Sequence, residues 1–209
     1  MIVFHYRSLI LAFALLLSGC SILQPVSPPV LKEYRLEAAS MAKSMVSSPS
    51  SLSIEISTIR AVPELDSRHM LYVQHPYQIE RFQQSEWQQK PASMLTPLVV
   101  AALEASGLFQ VVLRSPNPTN VNYRLELELV QLEQEFTTYP SVIHLGLRAY
   151  LTENKSHTIV AWQEFNVTQA APTEDAYGGV IASRLATTEV LRQLVELCRS
   201  HVGQTNATP

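Results

Sequence analysis

Apolar and polar side chains alternate along much of the chain, which predicts strands with one buried face. Leu52, Ile54 and Ile56 are separated by polar residues, and Leu125 and Leu127 repeat the pattern further on. Successive side chains of a strand point to opposite faces, so a period of two places the apolar residues together. Strands are predicted at residues 34–37, 52–56, 69–74, 77–82, 109–113, 123–132, 143–151 and 158–168.

The alternation changes phase within the longest of these segments. Apolar side chains up to Leu129 keep one phase, whereas Val130 and Leu132 follow the other. One extra residue in a strand produces such a shift. We therefore expect a β-bulge near Leu129.

Residues 94–106 have the period of a helix instead. Their apolar side chains recur at intervals of three and four, and Gly107 follows in the position of a helix C-cap. The pattern fits a helix capped by Thr96 with Pro97 in its first turn. It equally fits a helix that begins near Pro91 and is kinked at Pro97.

A second, longer helix is predicted to begin near residues 173–175, where acidic side chains favour the positive end of the helix dipole. Its expected buried stripe comprises Tyr177, Ile181, Thr188, Leu191, Leu194, Val195 and Cys198. Two helices and a run of short strands predict an α+β fold, a mainly antiparallel sheet with both helices packed on one face.

The beginning of the chain has the pattern of a cleaved targeting segment. Residues 9–17 are all apolar and follow the single cation Arg7, but nine residues are too few to span a bilayer. The run ends in Leu17-Ser18-Gly19-Cys20, which resembles the bacterial lipobox. The resemblance implies that the chain is cut between Gly19 and Cys20, and that Cys20 receives a diacylglycerol and an N-acyl chain. The alternative is a hydrophobic signal helix with an incidental cysteine.

The sequence then divides into four parts. We predict a signal peptide at residues 1–19, the lipidated cysteine with an extended proline-rich tether at 20–33, one periplasmic α+β domain at 34–202, and a flexible tail at 203–209. The lipid, and no transmembrane helix, would hold the domain on a membrane.

Charge and cysteine content narrow the function classes. The formal charge of the chain is −3, and no cluster of Lys and Arg occurs, so nucleic acid is not an expected partner. There are two cysteines, and acylation of Cys20 would leave Cys198 without a disulfide partner. Cys198 falls in the second helix, where a small buried side chain is expected.

Candidate chemistry is sparse. The six histidines are scattered without the spacing of a metal site, and no nucleotide-binding or nucleophile motif occurs. Glu126 and Glu128 share one strand face, but that face lies opposite the leucines and is expected to be solvated. We expect no catalytic residue, no metal and no cofactor other than the covalent lipid.

Four aromatic residues stand close together in the predicted hairpin and the loop after it: Tyr72, Tyr77, Phe82 and Trp87. Aromatic side chains contribute strongly to contacts with partners, so they are candidates for a partner interface. The competing interpretation is that they fill the core, which we expect for two of the four.

Taken in order, several motifs resemble the ABC-type transport auxiliary lipoprotein family, which includes the lipoprotein partners of MCE-type lipid transporters. The motifs are Cys20 after the lipobox, Tyr34-Arg-Leu, residues 63–72 (PELDSRHMLY), and Trp87 followed by Pro91 and the helix that ends in Gly107-x-Phe109. Phe82 stands where many relatives have Tyr.

This resemblance implies a non-catalytic periplasmic domain, lipid-anchored to a Gram-negative membrane, usually the outer one. It would dock an MCE-domain periplasmic protein and, through it, an ABC permease and ATPase that move phospholipids or other hydrophobic molecules. Ser21 after the lipidated cysteine fits outer-membrane sorting, although bacteria with other sorting rules would leave inner-membrane retention open. Homo-oligomerisation is also open.

A different class fits the same outline. The lipopolysaccharide-assembly lipoprotein is also a lipidated α+β domain with two helices on a sheet, and it partners an outer-membrane β-barrel. A lipid-modifying or peptidoglycan enzyme is disfavoured, because no nucleophile constellation is visible in the sequence.

Overall fold

The computed structural model describes residues 30–40, 51–117 and 119–202. The predicted signal peptide, Cys20 and the tail lie outside this part of the chain. Within it, nine strands and two helices follow one another. They are β1 (Lys32–Tyr34), β2 (Ser53–Ile56), β3 (Arg60–Ala61), β4 (His69–His75), β5 (Gln78–Trp87), α1 (Pro91–Ser106), β6 (Val111–Arg114), β7 (Tyr123–Glu135), β8 (Val142–Glu153), β9 (Thr158–Ala170) and α2 (Ala176–His201).

Strand β7 lies at the centre of the sheet and is paired on both edges. Along one edge it pairs antiparallel with β8, which in turn pairs with β9. Along the other edge it pairs in succession with β2, β3 and β4, all parallel to it. Beyond these strands, β6 pairs with β2, and β5 and then β1 continue outward from β4.

The prediction of an α+β fold is confirmed, but the sheet is mixed and not mainly antiparallel. Five of the eight strand pairings are parallel, although the two longest are antiparallel. The reason is that β2, β3 and β4 advance along the same edge of β7 in the same direction. Alternation within a strand reports its buried face and not the direction of its neighbour.

The core lies between the leucine face of β7 and β8 and the two helices. Leu125, Leu127, Leu129, Leu145 and Leu147 are at most 1% exposed and belong to one cluster with buried residues of both helices. At about 25 cal/mol per Å² of apolar surface removed from water, this cluster is the main source of stability.

Helix α1 begins at Pro91 and contains Pro97, which decides between the two predicted starts. Proline is well tolerated at the first position of a helix, since that N–H has no partner within the helix. Gly107 adopts φ 67° at the C-cap, as predicted.

Helix α2 buries a different stripe from the predicted one in its first half. Ala176, Gly179, Ala182 and Ala186 face the core, whereas Tyr177 is 54% exposed. A Cβ on Gly179 would lie 2.2 Å from Oε1 of Gln134, so small residues allow the helix to approach the sheet closely. The face of α2 that is buried is the one whose small residues let the helix lie close to the sheet. The spacing of apolar residues does not report this property.

The predicted bulge is present. Leu129 pairs with Leu147 and Gln131 with Gly146, which leaves Val130 without a direct partner on β8. A Cβ on Gly146 would lie 2.8 Å from Cγ2 of Val130. The glycine therefore makes room for the extra residue.

We predict that Gly146→Ala lowers the free energy of unfolding by about 1–3 kcal/mol, because the new methyl group collides with Val130. The penalty should fall in a Val130→Ala background, which removes the closest colliding atom, while Gln131 Cβ at 3.1 Å and Asn166 Oδ1 at 3.2 Å leave a smaller cost. Urea denaturation of the two single variants, the double variant and the parent protein measures this coupling. Strictly additive costs would contradict the assignment.

Candidate interaction surface at one end of the sheet

Two loops meet at the end of the sheet where β4 and β7 both terminate. The first is the β4–β5 turn, Pro76 and Tyr77, and the second is the β7–β8 loop, residues 136–141. Because β4 runs parallel to β7, Val73 pairs with Glu135, and the amide of Phe136 donates to the carbonyl of Val73 at 2.8 Å. We call residues 76–79 and 136–141 together the hairpin end.

Tyr77 is fully exposed and has φ 69°, in the left-handed region that favours glycine. Proline followed by a residue with positive φ is the arrangement of a type II turn, whose third position normally holds Gly or Asn. A non-glycine residue there costs about 1–2 kcal/mol. Because the side chain of Tyr77 is not buried in the domain, no burial energy offsets this cost.

The hairpin end exposes two further large apolar or aromatic residues. Tyr139 is 89% exposed in the β7–β8 loop, and Ile79 is exposed on β5 beside the turn. Sequence reasoning missed Tyr139. The available signal was a Tyr-Pro pair in a short loop between two strongly patterned strands.

Tyr72 and Phe82, which were both predicted interface residues, lie together with Phe136. The ring centroids of Tyr72 and Phe82 are 4.7 Å apart, and Phe136 lies 5.9 Å and 6.2 Å from them. All three residues are half-buried. The hydroxyl of Tyr72 donates to Glu80 at 2.8 Å, and this hydrogen bond to the carboxylate raises the pKa of Tyr72.

Trp87, the fourth predicted interface residue, belongs to the core. Its side chain is only 2% exposed. It lies at the end of β5, paired with Tyr34 of β1 and four residues before helix α1 begins. The prediction that Trp87 is an exposed interface residue is therefore wrong. β1 and α1 cover this side chain, and the periodicity of the hairpin does not report their approach.

A cleft of about 450 Å³ opens on the outer face of the sheet beside the hairpin end. Its lining includes Val73 and Tyr77 on one side and Glu133, Glu135 and His144 on the other. Glu135 accepts hydrogen bonds from Thr137 and from His144 Nε2, at 2.7 Å, and these bonds lower the pKa of Glu135. The carboxylate is therefore held ionised at neutral pH.

Glu126 and Glu128 lie on the same outer face, opposite the leucines. Glu128 accepts from Arg148 at 2.9 Å, and Arg148 also pairs with Glu164 at 2.7 Å. These groups form a salt-bridged row across three strands. Within the described ranges, no group of three or more His, Cys, Asp and Glu is placed to hold a metal ion.

Cys198 is buried within helix α2, as predicted. Burial raises the pKa of its thiol to about 12, so the thiol stays protonated at neutral pH. None of the helices described here is long and apolar enough to cross a membrane.

Two helices on a nine-stranded mixed sheet define an α+β domain, and solved structures share this fold. Protein XCC0632 from Xanthomonas campestris superposes with a TM-score of 0.75 at 20% identity, over 85% of this chain and 100% of that one. Protein CT253 from Chlamydia trachomatis gives 0.50 at 8% identity, over 74% and 99%. No curated protein matches the chain.

The family is shown by sequence. A family model described as the ABC-type transport auxiliary lipoprotein component matches residues 34–195, and the chain belongs to this family. The resemblance identified from the order of motifs is thereby confirmed.

We predict that Trp87→Ala lowers the free energy of unfolding by about 3–5 kcal/mol, because it empties a large core position. The matched control is Trp162→Ala, which removes a side chain that is 65% exposed and should cost far less. Chemical denaturation of both variants tests the assignment. If both substitutions lowered the free energy of unfolding by the same small amount, the assignment of Trp87 to the core would be wrong.

We predict that Tyr77→Gly raises the free energy of unfolding by about 0.5–1 kcal/mol, because glycine adopts positive φ without steric cost. Tyr139→Gly is the control, because Tyr139 is also exposed but does not have positive φ. This substitution should not raise the free energy of unfolding. Thermal unfolding distinguishes the two. Stabilisation by neither variant would show that the Tyr77 backbone is not strained.

Proposed function

We propose that this chain is a lipid-anchored, non-catalytic component of an MCE-type ABC transport system that moves phospholipids or other hydrophobic molecules across a Gram-negative envelope. It docks the periplasmic part of the transporter to a membrane, most simply the periplasmic face of the outer membrane. The observation that carries the proposal is the family match over residues 34–195.

Two features of the chain support the proposal. The motif at Leu17 to Cys20 places a nucleophilic sulfur after small residues at the end of a short apolar run, which is what lipidation and cleavage require. The described surface also exposes the aromatic side chains of Tyr77, Tyr139, Trp162 and Tyr177, which suit contacts with a partner. ATP hydrolysis would belong to a separate subunit.

We assign the partner contact to the side of the β4–β5 hairpin that carries Tyr72 and Phe82. Both residues are partly buried, and Phe82 also packs against the core, so the exposed part of each side chain is what another protein could contact. Phe136 holds them in place from the neighbouring loop. An aromatic cluster fixed by its own packing loses little side-chain entropy on binding.

The docking experiment is co-purification of the tagged, full-length chain from detergent-extracted membranes. We predict that an MCE-domain protein and an ABC permease accompany the parent protein, and that Phe82→Ala reduces their recovery about tenfold or more, equivalent to about 1.4 kcal/mol or more. Trp162→Ala is the control for loss of an exposed aromatic, and Phe82→Tyr should retain binding.

Thermal unfolding of Phe82→Ala separates lost docking from lost folding. Recovery of an outer-membrane β-barrel in place of the MCE-domain protein would contradict the proposal and favour an assembly lipoprotein. Undiminished recovery with Phe82→Ala would contradict the assigned contact.

The anchor is tested by the intact mass of the membrane-extracted protein. We expect a chain that begins at Cys20 and carries acyl chains, whereas Cys20→Ala should yield no acylated product and should release the protein from membranes. An unprocessed, unacylated parent chain would contradict the lipid anchor.

A further inference from the structure

We propose that the hairpin end lies in the headgroup region of the same bilayer that holds the lipid anchor, with Tyr77 and Tyr139 as interfacial contacts. This inference rests on the proposed lipidation of Cys20. It adds a second membrane contact, made by the folded domain itself, and so fixes which end of the domain faces the membrane.

The direction of β1 is the first argument. β1 pairs parallel with β5, with Lys32 opposite Ser85 and Tyr34 opposite Trp87. β5 begins at Gln78, directly after the turn, and runs away from it. β1 therefore runs away from the hairpin end, as β5 does. Lys32 lies level with Ser85, seven positions along β5 from Gln78, and Leu31 before it is 48% exposed.

The neighbours of Lys32 support the same placement. The pKa of Asp175 is lowered by hydrogen bonds from Thr173 and from the amide of Gly178, and further by the charge of Lys32. Asp175 caps the first turn of α2, and its neighbour Glu174 accepts from the amide of Ser141 in the β7–β8 loop at 3.0 Å. Lys32 thus lies near the first turn of α2, and that turn contacts the β7–β8 loop of the hairpin end through Glu174 and Ser141.

The length of chain before β1 is sufficient. Eleven residues separate Cys20 from Lys32, and such a segment spans at most about 35–40 Å. Along β5, the seven residues from Ser85 back to Gln78 correspond to about 23 Å. A lipid on Cys20 can therefore remain in the bilayer while Tyr77 touches its surface.

The chemistry of the two loop tips suits a lipid interface. Residues 76–79 (PYQI) and 137–140 (TTYP) carry no formal charge, and each contains an exposed tyrosine. Tyrosine is enriched where bilayer meets water, because its ring is apolar and its hydroxyl is polar.

The backbone of Tyr77 adds a second indication. The residue occupies a position that favours glycine, and its side chain has no burial in the domain to offset the cost. Strain of this kind persists at functional positions. A contact outside the domain would account for a tyrosine there.

The charge of the groups around the hairpin end indicates whether anionic or zwitterionic lipid is the partner. The ionisable groups around the tips are His75, Glu80, Arg81, Glu133, Glu135, His144, Glu174 and Asp175, with Lys32 as a further cation. This end is therefore acidic on balance, and an anionic surface would repel it. The contact must come from aromatic and apolar insertion, so zwitterionic lipid is the fitting partner.

The experiment uses the full-length, lipidated chain in phosphatidylcholine vesicles. Tyr77→Cys and Tyr139→Cys are labelled with an environment-sensitive fluorophore, and Lys155→Cys in the turn between β8 and β9, at the opposite end of the sheet, is the matched control. The parent chain is the labelling control, and we expect its buried Cys198 to take up no label.

Brominated phosphatidylcholine should quench the labels at positions 77 and 139 by at least about twofold and leave the label at 155 unchanged, because of the three labelled positions only 77 and 139 lie at the bilayer interface. Replacing a third of the lipid with phosphatidylglycerol should not increase this quenching.

Vesicle flotation separates the two ways of failing. A chain that floats with the vesicles but shows no quenching at 77 and 139 keeps its anchor, and would overturn only the proposed orientation. Shielding of both labels by an added MCE-domain protein, without quenching by lipid, would overturn it in favour of a protein contact. A chain that does not float would contradict the lipid anchor, and with it both proposals.

Discussion

Strand β7 is hydrogen-bonded along both edges, and the placement of every other element depends on it. β8 follows one edge over twelve paired positions, while β2, β3 and β4 share the other. Its leucines supply the face on which the helices pack. Because β4 pairs with the last residues of β7, the β4–β5 turn and the β7–β8 loop are brought to one end of the sheet. The aromatic surface is a consequence of this pairing.

Local patterns in the sequence were sufficient for much of the fold. The strands around Ile54 and Leu127, the bulge beside Val130 and the cap at Gly107 were predicted from periodicity and from single residue preferences. The parallel pairings, the buried face of α2 and the burial of Trp87 were not. Each depends on which distant segment approaches, as β1 and α1 do at Trp87, and a period in the sequence carries no such information.

The candidate surface was predicted in part for the same reason. The hairpin was recognised, and Tyr77 is exposed as an interface residue must be. Phe136 and Tyr139 were missed, since they join the surface only through the parallel pairing of β4 with β7. Along the β4–β5 hairpin, Trp87 is buried, Phe82 is partly buried against the core and Tyr77 is fully exposed.

Site-specific photo-crosslinking in living cells tests this account most directly. A photoreactive phenylalanine analogue is placed at position 82 of the full-length chain, and its adducts are identified after irradiation. The account predicts a covalent adduct with an MCE-domain protein. Adducts with an outer-membrane β-barrel alone, or a chain that remains uncrosslinked while folded and lipid-anchored, would contradict it.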